Sequence, residues 1–197
     1  MKKYRFKTSQ FIEIFPYYTY DDLFPFNDEL PPLSKRLPAK SCYQEFNISA
    51  FNHYLDENEY DEKMITYDYF NREKYYYCVN KRKYFHKKTQ QLWEYYKKLE
   101  NSFLNFFDFL YKEDVYMILA NRYLVEFTSK QEYFRHCLYG IRERADNLKT
   151  RTFIVPNLGI MVSSAWDHKH IIHASKKHYK KDAFEKIVKD AGLFILA

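Results

Sequence analysis

Only three glycines, Gly140, Gly159 and Gly192, occur in 197 residues, and the first 139 positions contain none. Loops that cradle a phosphate need glycine, because the backbone must turn tightly and approach the ligand with no Cβ in the way. The sequence therefore excludes a P-loop, a dinucleotide fingerprint and a glycine-flanked serine elbow. P-loop NTPases, Rossmann dehydrogenases, typical kinases and α/β-hydrolases are excluded with them. Proline is as unevenly placed: five of the six lie between 16 and 38. That spacing predicts an irregular, aromatic-packed stretch over 15–38 in an extended N-terminal segment 1–40, with a short strand at 3–7 or 11–15 ahead of it. Proline is then absent from 39 to 155, and with glycine nearly absent too, the stretch 41–150 reads as mainly helical.

The length fits one domain, 1–197. Its composition, 46% hydrophobic and 29% charged, is enough for a real core. The 21 Tyr and 18 Phe accompany 23 Lys against 9 Arg. AT-rich codon usage produces the same excesses, so a tyrosine-rich stretch alone does not mark a surface. Cys42, Cys78 and Cys137 are odd in number and widely spaced, which points to a reducing compartment rather than a disulfide framework or a zinc ribbon. The charged start "MKKYRFKTSQFIEIF" lacks the apolar run of a signal peptide. The longest apolar run, "VYMILA", is six residues, too short to span a bilayer. The expectation is a cytoplasmic protein with no membrane partner and no cofactor.

The strongest periodic signal lies over 89–112. Leu92, Tyr96, Leu99, Phe103, Phe106 and Leu110 follow helical spacing and form one stripe, flanked by Trp93, Phe107 and Tyr111. This is a core helix. "SAFNHYLDEN" predicts a short helix capped by Ser49. "YYYCVNKRKYFH" suits either a hairpin or the start of a long helix. "DVYMILANRYLVEF" suits a hairpin turning at Asn121-Arg122 or a second helix. "SKQE" at 129–132 is a capping box. Its helix has Phe134, Cys137, Leu138, Ile141, Ala145 and Leu148 inward and Arg135, Arg142, Arg144 and Lys149 on the other side. The last 47 residues read as a β-β-β-α-β unit in an antiparallel or mixed sheet, built from "TFIVP", "LGIMVSSAW", "HIIHAS", "DAFEKIVKDAG" and "LFIL". Asp182 and Glu185 form its capping box, and Gly192 stands at C′. The class is α+β: a helix-rich centre packed on a β-rich C-terminal part, 151–197, behind the N-terminal segment.

Four of the seven histidines fall within "HKHIIHASKKH", residues 168–178. As a strand after a "DHK" loop, His170 and Ile172 share one face, while Ile171 and His173 share the other. The first three histidines match the spacing of the H-x-H-x-D-H motif, and the stretch in that respect resembles metallo-β-lactamase-fold hydrolases. Ile172 stands where that motif has aspartate, and only 24 residues remain downstream for further ligands. No metal site is therefore expected, His168, His170 and His173 being the only weak candidates. The alternative is surface imidazoles on a hairpin with Trp166 tucked beneath.

Three functions follow in order. The first is a non-catalytic protein-binding module, an immunity-type or inhibitor protein occupying another protein's surface. An acidic run at 56–68 lies beside a basic one at 72–98, and such polarity steers association. Lys81, Arg82, Lys83, Tyr84, Lys87, Arg135, Arg142, Arg144 and Trp166 are its candidate contacts, facing an acidic docking surface. The second is RNA or single-stranded nucleic-acid binding. The net charge of +6 and "KRKYFHKK", which interleaves cations with aromatics, favour it. A metal-independent hydrolase or nuclease working through His136 and arginine ranks third. The reading therefore favours a binder over an enzyme.

Overall fold

The computed structural model describes residues 2–5, 42–71, 76–79, 82–119, 123–142, 151–165 and 168–196. Apart from residues 2–5, the N-terminal segment 1–40 lies outside these residues. So do Lys81, the Asn121-Arg122 turn, Arg144, Ala145, Leu148, Lys149 and Trp166.

The strands are β1 (Lys2–Arg5), β2 (Tyr43–Ser49), β3 (Tyr76–Val79), β4 (Arg82–Phe85), β5 (Tyr116–Leu119), β6 (Tyr123–Glu126), β7 (Thr152–Val155), β8 (Ile160–Ser164), β9 (Lys169–Ser175) and β10 (Phe194–Leu196). The helices are α1 (Glu57–Lys63), α2 (Lys87–Tyr111), α3 (Lys130–Ile141) and α4 (Lys181–Asp190). Eight strands form one sheet in the order β1-β6-β5-β7-β8-β9-β2-β10, and β3 and β4 form a separate hairpin. The class is α+β. Among the described residues, no helix is long and apolar enough to cross a membrane.

Alternation along the strands gives the sheet two faces. One carries Ile48, Met117, Val125, Phe153, Val155, Ile160, Val162, Ile172 and Ala174. They bury Phe103, Phe106, Phe107 and Leu110 of α2, Tyr133 and Cys137 of α3, and Phe184 and Val188 of α4. The other carries buried Tyr43, Leu124, Ile154 and Met161. The stripe of α2 is inward as its spacing requires: Tyr96, Leu99, Phe103, Phe106 and Leu110 are buried.

Several expectations are corrected. The stretch 41–150 is helix-rich among its described residues, through α1, α2 and α3, but β2, the β3–β4 hairpin and the β5–β6 hairpin interrupt it. The C-terminal part has the expected β-β-β-α-β order, as β7, β8, β9, α4 and β10, and β2 enters its sheet between β9 and β10. The first strand lies at 2–5, overlapping the first of the two predicted positions and starting one residue ahead of it. Ser49 ends β2 and caps no helix. The helix there starts later, at Asp56, whose side chain accepts from the Glu59 amide while Glu59 reaches back to the Asp56 amide. Ser129 caps α3 as predicted, accepting from the Glu132 amide, but the Glu132 carboxylate reaches back to Thr128. The deepest positions of α3 are Tyr133, Cys137 and Gly140, with Phe134, Leu138 and Ile141 half-buried beside them. At α4 the helix starts at Lys181, one residue ahead of the predicted cap Asp182, and no side chain caps it.

Candidate partner-binding face

The sheet brings α3 close to β8. A Cβ built on Gly140 would stand 3.1 Å from the Ser164 Cβ, so the small residue sets how closely this helix packs. With Tyr133, Cys137 and Gly140 against the sheet, helical spacing places Arg135, Tyr139 and Arg142 along another side. Arg135 is exposed, and Tyr139 is 47% exposed. Arg151, just before β7, lays its guanidinium 4.9 Å from the Tyr139 ring centre. Among the described residues, neither Arg135 nor Arg151 has a carboxylate at salt-bridge distance. His136 records the local field. Burial lowers its pKa, and the charges of Arg151 and Arg135 lower it further.

Arg142 has a different role. It turns inward onto Glu100 of α2, which is fully buried. The guanidinium donates through Nε to one carboxylate oxygen and through Nη2, at 2.9 Å, to the other. The Tyr96 hydroxyl donates at 3.1 Å and the Lys97 ammonium adds a further bond. Burial raises the Glu100 carboxyl pKa, but the bonds to Arg142 and Lys97 outweigh it, leaving the group below its ordinary value. The Arg142 guanidinium also lies 4.7 Å from the Tyr67 ring centre. With both carboxylate oxygens taken, the cluster joins the C-terminal turn of α3 to the middle of α2.

The other predicted contacts lie elsewhere. Arg82, Lys83 and Tyr84 belong to β4. Tyr84 is 42% exposed, and Lys87 is exposed at the first turn of α2. The hairpin is held through Phe85, whose ring meets Phe70 at 5.7 Å and Trp93 at 5.4 Å. Thus 82–87 and the α3 face are separate elements. Of the predicted contacts, Arg135 stands beside Tyr139, and Arg142 is committed to Glu100.

The histidines are not the surface imidazoles the sequence suggested. His168 has a left-handed backbone (φ 50°) and donates from Nε2 to the Ile65 carbonyl at 3.0 Å. His170 is buried on the helix-bearing face, 4.7 Å from the Phe103 ring and 5.4 Å from Phe107, and donates from Nδ1 to the Lys169 carbonyl. His173 is buried on the opposite face, 3.5 Å from the Glu45 carboxylate. Strand alternation sends His170 and His173 apart, as predicted. Among the described residues, no group of three or more His, Cys, Asp or Glu is placed to hold a metal ion.

Arg151 and Tyr139 were missed in the sequence, since their pairing arises only when β7 returns beside α3. Comparison of the chain with protein-family models, curated proteins and solved structures finds no match.

Proposed function

We propose that this protein is a binding module that uses the Arg135–Tyr139–Arg151 face of α3 to occupy an acidic surface on another protein, in the manner of an immunity or inhibitor protein. One observation carries the reading: a half-exposed tyrosine beneath one arginine and one helical turn from another, neither arginine paired to a carboxylate among the described residues. Tyrosine and arginine are the residue types that concentrate binding energy at interfaces. A guanidinium stacked on a ring is already oriented, and its planar fork matches a carboxylate. The Glu100–Arg142 cluster supports this face by fixing α3 against α2.

The same pair also suits a base stacked on tyrosine beside a phosphate, so nucleic acid is the alternative to test. The test compares mixed-sequence RNA, single-stranded DNA and an acidic polypeptide over a salt series. The acidic polypeptide should bind, and Arg135→Ala/Arg151→Ala should weaken it at least about tenfold, a loss of about 1.4 kcal/mol. Tight nucleic-acid binding whose log K falls by roughly 0.7–0.9 per phosphate contact for each log unit of salt, with no acidic-polypeptide binding, would reverse the order of the two readings.

A further inference from the structure

Among the described residues the sheet ends at β10, which pairs there with β2 on one side only. An edge strand presents unpaired backbone donors and acceptors, and proteins usually blunt such an edge with charge, proline or a bulge. β10 is Phe-Ile-Leu, with none of these in the strand. Phe194 is 44% and Ile195 36% exposed. Ile195 stands opposite Ile48 and therefore on the helix-bearing face, while Phe194 stands opposite Ser49 on the other. On the helix-bearing side, a groove runs between this edge and α4, lined by Glu185, Val188, Lys189, Leu193 and Ile195.

We infer that the occupant of this edge is a second copy of the chain, paired β10 to β10 about a two-fold axis at Ile195, so that two eight-stranded sheets become one. The strand is self-complementary. Reversed against itself, it sets Ile195 opposite Ile195 and Phe194 opposite Leu196, apolar throughout, as an isologous contact requires. The neighbouring helix is self-complementary in charge. Glu185 and Lys189 lie one turn apart, and reversal runs the lysine of one copy beside the glutamate of the other. Glu185 has a loose bond, 3.7 Å, to Lys181. Lys189 has no carboxylate partner among the described residues. An unrelated peptide would gain only the short backbone ladder; a second copy gains the α4 contact as well.

Sedimentation velocity of the whole chain over a wide concentration range tests this. The wild type should show a reversible monomer–dimer equilibrium. Ile195→Lys, which places two ammonium groups opposite each other, should leave only monomer, with circular dichroism unchanged and with melting close to wild type at concentrations where the wild type is monomeric. Glu185→Lys should weaken the dimer about tenfold or more, since like charges brought together at an interface oppose association. Glu185→Lys/Lys189→Glu should restore it, an outcome that a folding defect would not produce. Tyr139→Ala should dimerise as the wild type does, which separates this surface from the α3 face. A wild type that stays monomeric at every concentration overturns the inference. So does a folded Ile195→Lys dimer, or a charge swap that fails to restore association.

Discussion

Glu100 is the residue on which most of the charged architecture converges. It sits within the buried stripe of a long amphipathic helix, where an apolar residue is ordinarily expected, and is fully buried with four donor atoms around it. Glu100→Gln keeps the shape and removes the charge, leaving Arg142 and Lys97 without their counter-ion. Breaking a buried pair in this way should cost on the order of 3 kcal/mol, read from urea unfolding. A loss under about 0.5 kcal/mol, the size of an ordinary surface change, would contradict the assignment. The buried imidazoles make the stability depend on pH. Burial holds His170 and His173 down to about 4, against 6.5 for an ordinary histidine. The unfolded chain therefore takes up these protons first. The stability is fully present above pH 6.5 and declines as the pH falls toward 4. Each gap of this size is worth on the order of 3 kcal/mol. Glu100, held below 4.5, adds its loss only further down. His170→Phe should keep the packing on Phe103 and Phe107 and flatten the slope between pH 6.5 and 4.5. An unchanged slope would show that the ring is not a buried neutral imidazole.

At the scale of elements, the two positive-φ glycines separate two costs of a side chain. Gly192 (φ 74°) follows α4, and an added Cβ would meet only the Ser102 hydroxyl at 3.6 Å. Gly159 (φ 66°) opens β8, and its Cβ would stand 2.4 Å from the His178 carbonyl oxygen, a backbone atom. Gly192→Ala should therefore cost about 1 kcal/mol of backbone strain, and Gly159→Ala clearly more. Equal melting losses would contradict this packing. Gly192 was legible as a C′ residue because the amphipathic pattern of α4 stops just before it. The α2 stripe was legible for the same reason: Leu99 and Phe103 repeat with the helix. The strand β2 was not, because its partners, His170 and Ile172 in β9 and Ile195 in β10, lie more than 100 residues away in sequence. Ser49 consequently looked like a helix cap. Glu100 carried a signal that was overlooked: it is four residues from Tyr96 and three from Phe103, inside the width of the buried stripe. For the candidate face, Arg135 was read from its helix side, whereas Arg151 lies beyond that helix, where no periodicity reaches.

At the scale of the whole molecule, one sheet gathers β1 and β2, the β5–β6 hairpin and the C-terminal strands, and three helices cover one of its faces. That assembly sets the proposed binding face on α3 apart from the β10 edge, and the two surfaces are proposed to meet different partners. The proposed role of the α3 face is to meet an acidic protein. A photo-crosslinking amino acid at position 139 of the full chain in its native cells tests this, with the exposed position 98 on α2 as the reference. A protein adduct is expected at 139, absent at 98 and lost when Arg135 and Arg151 are changed to Ala. Adducts to nucleic acid at 139, or a protein adduct that survives those two changes, would contradict it.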